Sequence, residues 1–164
     1  MSFSVSFAMA HEHTERAQRT GMSCGFRGGI CEDRRVSAED VQRLREVYDA
    51  FDREDVDVFV GLLAHDIEWR VPEVLPWGGR RHGPDGVRTC LDLLREHVAG
   101  GWGTPEEFLD VGGRVVVLGR FAGTARATGR DFETPSVDVW TCRDGVPTGL
   151  VHFVDTAIVL EAVR

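Results

Sequence analysis

Residues 128–162 read TGRDFETPSVDVWTCRDGVPTGLVHFVDTAIVLEA, two strand-like segments joined by Asp144-Gly145. Asp-Gly between apolar, β-branched runs is a strong short-range hairpin signal. Asp138 lies seven residues before Gly145 and His152 seven after it. Side chains alternate faces along a pleated strand, so pairing across this turn sets Asp138 beside His152 on one face. Trp140, Cys142 and Leu150 share that parity, which makes it the inner face. An acid beside an imidazole on an apolar wall is the outline of an acid–base site. Asp138 orients the ring, and His152 is the natural proton carrier near neutrality.

Upstream, the chain supplies what such a hairpin packs on. Ser37 is a good N-cap, with Asp40 in the first helical turn. Val41, Leu44, Val47, Tyr48 and Phe51 follow at helical spacing and form one apolar stripe. A second helix turns Val56, Phe59, Val60 and Leu63 inward. Ile67, Trp69 and Val71 alternate with Glu68 and Arg70, the pattern of a half-buried strand ended by Pro72. After the loop Pro76-Trp77-Gly78-Gly79, a third helix starts near Gly83-Pro84-Asp85, with proline at a tolerated first-turn position. Its stripe is Val87, Leu91, Leu94 and Val98, and Gly100-Gly101 stops it. The remainder is β: Glu106–Val111, a turn at Gly112-Gly113, and a long strand 114–127 in which Gly119 and Gly123 mark bends or bulges. The layout is α+β, with three N-terminal helices packed on a strongly curved antiparallel sheet. Such a cone leaves a central pocket for a small molecule.

Composition bounds the rest. A chain of 164 residues suits one domain, and 42% hydrophobic with 28% charged residues is an ordinary globular balance. A formal charge of −8 argues against a nucleic-acid partner, which needs a clustered basic surface. No apolar run reaches the roughly 18–20 residues that span a bilayer. The opening MSFSVSFAMA lacks a basic flank and is not read as a signal peptide. Cys24, Cys31, Cys90 and Cys142 show no CxxC pair and no zinc spacing, so free thiols in a reducing cytoplasm are expected, with no metal. Residues 1–36 show no sustained apolar period and read as a disordered or weakly ordered extension of a domain covering 37–164.

The order of elements, the segment EWRVP at 68–72, PWGGRRHG at 76–83, TGR at 128–130, the Asp144-Gly145 turn and VDTA at 154–157 resemble the SnoaL-like group of the NTF2-like superfamily. That resemblance, over roughly Ser37 to Val163, implies the cone fold and functions such as ketosteroid isomerase, polyketide cyclase or epoxide hydrolase. Ketosteroid isomerases carry a general-base Asp where this chain has Val71. Their oxyanion Tyr matches Val47, with Tyr48 one residue away on a different face, and a third polar residue falls near Asp138. Relative to the SnoaL-type cyclases, the His and Asp of the hairpin are exchanged here as Asp138 and His152, and a further acid matches Asp155. Asp155 also precedes Thr156-Ala157, where it suits the N-cap of a short final helix. Epoxide hydrolases of the limonene type use two acids, for which Asp138 and Asp155 are available.

The expected catalytic set is therefore Asp138, His152 and Asp155. Trp69, Trp77, His82, Trp140 and Tyr48 are expected to contact substrate. The implied function is a cofactor-independent cyclase, isomerase or hydrolase acting on a small apolar oxygenated metabolite. The alternative is a non-catalytic ligand-binding or dimer-scaffold protein. Val137, Val139, Val151 and Phe153 on the outer face of the hairpin point to a homodimer through the sheet.

Overall fold

The computed structural model describes residues 38–164. The expected N-terminal extension and the Ser37 cap lie outside the described residues. The elements are α1 (Ala38–Asp52), α2 (Val56–Gly61), β1 (Glu68–Val71), β2 (Gly79–His82), α3 (Gly83–His97), β3 (Val98–Asp110), β4 (Arg114–Ala125), β5 (Asp131–Arg143), β6 (Val146–Val154) and α4 (Thr156–Val163). The strands form one curled sheet in the order β2-β1-β6-β5-β4-β3. The sheet is mixed where an antiparallel one was expected, because β1 runs parallel to β6. All other neighbouring pairs are antiparallel.

Each helix begins and ends for local reasons. Asp55 caps α2 by accepting a hydrogen bond from the Val58 N–H at 3.1 Å. Proline stands in the first turn of α3, and Arg95 and His97 occupy its last turn, where cations suit the negative helix end. Asp155 caps α4 through the N–H groups of Ala157 and Ile158. The stripes bury Leu44, Val47 and Tyr48 from α1 and Val87, Leu91 and Leu94 from α3. They meet the inward residues of the sheet, among them Val115, Val117, Phe121, Phe132, Trp140 and Leu150.

Two segments depart from the sequence reading. Gly79–His82, expected as loop, pairs with β1 as an edge strand. Gly100-Gly101 does not separate α3 from the β region, since α3 ends at His97 and β3 starts at the next residue. The glycines instead sit in an irregularity of β3 between Ala99 and Trp102, opposite Gly123, and a second irregularity between Pro105 and Glu107 lies opposite Gly119. Thus Gly119 and Gly123 do mark bulges, but the extra residues belong to the partner strand. A Cβ on Gly119 would come within 2.3 Å of the Thr104 carbonyl oxygen, and one on Gly123 within 2.8 Å of Gly101 Cα. Only glycine admits that close approach.

The hairpin holds the detail that decides the site. Asp144 and Gly145 both have positive φ, 54° and 77°, which is a two-residue type I′ turn. Arg143 pairs with Val146 and Cys142 with Pro147, a register that, continued, would set Asp138 opposite Val151. One extra residue at Thr148 shifts it, so that Thr141 pairs with Gly149 and Asp138 with His152. The Thr148 hydroxyl donates to the Thr141 carbonyl at 3.2 Å within that bulge. Without the bulge, His152 would face outward, because a one-residue slip exchanges the faces of a strand.

Candidate active site

Three rows of side chains cross the concave face. The first is Val117, Asp138 and His152, on β4, β5 and β6. The second is Val115, Trp140, Leu150 and Trp69, reaching across the parallel β6–β1 pair. The third is Gly119, Ser136 and Val154. Helix α1 lies over this face and brings Tyr48 down onto Asp138.

The result is a connected polar network in an apolar wall. Trp140 Nε1–H donates to the Tyr48 hydroxyl at 3.1 Å. Tyr48 O–H donates to Asp138 Oδ2 at 2.5 Å. Asp138 Oδ1 lies 2.6 Å from His152 Nδ1. The Asp138 and His152 side chains are only 12% and 15% exposed. A carboxylate can only accept, so the shared hydrogen resides on Nδ1 and the neutral ring keeps a bare Nε2. Burial pushes the Tyr48 pKa well above its ordinary value. The charge of Asp138 and the hydrogen bond to it act in the same direction, against a smaller opposing effect of Trp140. Tyr48 is therefore a neutral donor, committed to Asp138 throughout the working pH range.

The network borders a cavity of about 70 Å³, walled by Val47, Phe51, Phe59, Trp69, Val71, Trp77, Leu91, Leu94, Phe121, Leu150 and the four network residues Tyr48, Asp138, Trp140 and His152. Phe121 meets the His152 ring edge-on, with centroids 5.8 Å apart. The Cys90 thiol also lines it and donates to the Trp77 carbonyl at 3.4 Å. Burial pushes that thiol up, with Arg81 and Trp69 acting the other way. Among the described residues no group of three or more His, Cys, Asp or Glu side chains is placed to hold a metal ion.

Of the expected site residues, Asp138, His152, Trp69, Trp77, Trp140 and Tyr48 line this cavity. Trp77 is a buried part of the wall, 2% exposed. Its loop is fastened by Arg81, which donates to the carbonyls of Trp77 and Gly78. Two expected residues lie elsewhere. His82 is exposed at the end of β2, opposite Glu68, because its parity is that of the outer face. Asp155 is exposed and its carboxylate is occupied as the α4 cap, so it contributes no acid to the cavity. The placement of Tyr48 on a different helical face is also corrected. The buried stripe of α1 is wide enough to turn both Val47 and Tyr48 to the cavity. Sequence reasoning missed Cys90 and Phe121. Cys90 carries a readable signal, standing three residues after Val87 and four before Leu94 on the α3 stripe.

Comparison with known proteins places this geometry in a wider group. No curated protein matches the chain. Among solved structures, an NTF2-like protein of unknown function from Burkholderia pseudomallei is 31% identical over 78% of this chain and 99% of its own, with a TM-score of 0.72. TerC, co-crystallised with polyporic acid, is 27% identical over 77% of this chain and 98% of its own, also with a TM-score of 0.72. A putative SnoaL-like polyketide cyclase from Jannaschia is 18% identical over 78% of this chain and 93% of its own; its TM-score of 0.68 speaks for the fold alone. Residues 44–146 match the SnoaL-like domain family, and the chain, with its curled sheet and covering helices, belongs to that family and to the NTF2-like fold.

Proposed function

We propose that the protein is a cofactor-independent acid–base enzyme, a cyclase, isomerase or hydrolase, acting on a small apolar oxygenated compound of the polyketide-like kind. The observation that carries this reading is the Tyr48–Asp138–His152 chain beside an aromatic cavity. Tyr48 and His152 each donate to one Asp138 oxygen, so Asp138 holds the ring while Nε2 of His152 is the basic atom on the cavity side. A positioned base in a water-poor site is worth about 10²–10⁴-fold in rate. The ligand-bound state of TerC, a relative at 27% identity, supports a conjugated oxygenated ligand. The free, buried thiols of Cys90 and Cys142 fit a reducing compartment such as the cytoplasm.

The test is a panel of small apolar ketones, β-dicarbonyls and epoxides, incubated with the protein in D₂O and followed by NMR. Conversion or proton exchange is expected, and His152→Ala should lower it by about 10²–10⁴-fold. Asp138→Asn should cost less than His152→Ala, since Asp138 orients the base and does not carry the proton. Binding of these compounds with no conversion in any case would leave a ligand-binding module.

A further inference from the structure

Glycine weakens a strand, so each glycine on the inner face of the sheet calls for a reason. Gly119 and Gly123 have one, since atoms of β3 fill the place of a side chain at each. Gly103, on β3 between the two irregularities, has no such reason. Its φ is not positive, and a Cβ built on it would meet nothing closer than the Arg120 carbonyl oxygen at 4.0 Å. Yet Gly103 pairs with the inward-facing Phe121 and itself lines the cavity. The room that a side chain would take at this position is left empty on the cavity side.

That empty room lies where solvent reaches the wall. Of the residues lining the cavity, all but Phe51, Gly103 and His152 are buried. Phe51 packs its ring on Phe59, with centroids 5.2 Å apart. Gly103 and His152 belong to one corner, because Phe121 stands beside Gly103 across the strands and meets the His152 ring edge-on. Cross-strand partners on one face are in contact, so a side chain at 103 would stand against Phe121 at that same corner.

Resting on the reading of this cavity as the ligand site, we infer that Gly103 is its doorway: the missing side chain leaves open the passage by which ligands reach His152. Gly103 acts through access alone and touches no reacting atom. A ligand too long for the cavity continues outward over Gly103, past the imidazole. A larger side chain at 103 closes the passage without disturbing the polar network, since it enters space that no other side chain occupies.

The experiment uses the full chain and diethyl pyrocarbonate, a small reagent that acylates the bare nitrogen of a neutral imidazole. Peptide mapping by mass spectrometry follows the labelling rate of each histidine at neutral pH. His65 and His82 are exposed and serve as internal controls. In the wild type, His152 should label at a measurable rate. Gly103→Leu should slow that rate by about 10–100-fold, as steric closure slows association, with His65 and His82 unchanged. Gly103→Ala should fall between the two, and it decides the matter if Gly103→Leu fails to fold by circular dichroism. An undiminished His152 rate in the folded variant would overturn the doorway, as would a wild-type His152 that resists the reagent while the controls react. Slowed labelling in Gly103→Leu, with no turnover of any ketone, β-dicarbonyl or epoxide by the wild type, would sustain the doorway and end the enzyme reading.

Discussion

At the scale of single residues, this site depends on how one carboxylate is shared. Asp138 accepts from Tyr48 on one oxygen and from His152 on the other. Alternation along β5 placed Asp138 and Trp140 on the inner face, but across the two-residue turn alone it would turn His152 outward, and the extra residue at Thr148 brings it back. Parity could not place Tyr48, since its partner lies 90 residues away in sequence. Asp155 was readable either as a site acid or as a cap, and local hydrogen bonding to the start of α4 decides for the cap. Tyr48 is the sole tyrosine in the chain, so near-ultraviolet tyrosinate absorbance reports on it alone. Its folded pKa lies above its unfolded one, near 10. The corresponding stability is complete below pH ~10 and declines as pH rises beyond it, because there the unfolded chain binds fewer protons than the folded one. A titration should show no tyrosinate until well above that pH, arriving together with loss of the near-ultraviolet circular dichroism. A tyrosinate signal near pH 10 in the folded protein would contradict the buried Tyr48–Asp138 bond. The same burial governs the thiols. Cys142 is pushed up to about 12 by desolvation and by Asp40. Peptide mapping after brief iodoacetamide treatment of native protein at neutral pH should find Cys90 and Cys142 unmodified.

At the scale of elements, the sequence marked the turns more reliably than the pairings. The Asp144-Gly145 hairpin, the Gly112-Gly113 turn and the start of α3 were legible because glycine, aspartate and proline act locally. The parallel β1–β6 pair was not, since nothing local in EWRV specifies a partner roughly 80 residues downstream. The Thr148 bulge was equally hidden, yet it turns a two-residue hairpin into one that sets His152 opposite Asp138. The bulges of β3 can be tested through the glycines facing them. Gly119→Ala should lower stability by about 1–3 kcal/mol, because the added methyl meets the Thr104 backbone. Gly61→Ala, at the end of α2 with nothing within 4 Å of the new methyl, should be neutral or stabilising by up to ~1 kcal/mol. Urea denaturation midpoints measure both, and equal effects would mean that β3 and β4 are not in the close contact described.

At the scale of the whole molecule, the covering helices explain one face of the sheet and leave the other. Val116, Val139 and Val151 form one outer row, and Leu118, Val137 and Phe153 the next. Phe153 is 52% exposed, and the Glu106–Arg120–Glu133 ion-pair cluster flanks the rows. We propose that two copies pair through this face, covering an apolar stripe with a charged rim. Light scattering should give twice the 18.2 kDa of one chain, and Phe153→Lys should return the monomer. A wild-type monomer at micromolar concentration would overturn the proposal. No helix among the described residues is long and apolar enough to cross a membrane.

The whole functional reading rests on the state of one ring, and that state can be observed without a substrate. ¹⁵N NMR of the histidine side chains, with His152 assigned by its disappearance in His152→Gln, distinguishes a neutral imidazole protonated at Nδ1 from one protonated at Nε2. At a pH where the ring is neutral, His152 should be found in the Nδ1–H form, shifting toward the Nε2–H form common in water when Asp138 is replaced by Ala. His152 found as the Nε2–H form in the wild-type protein would contradict the Asp138–His152 geometry and remove the base from the proposed chemistry.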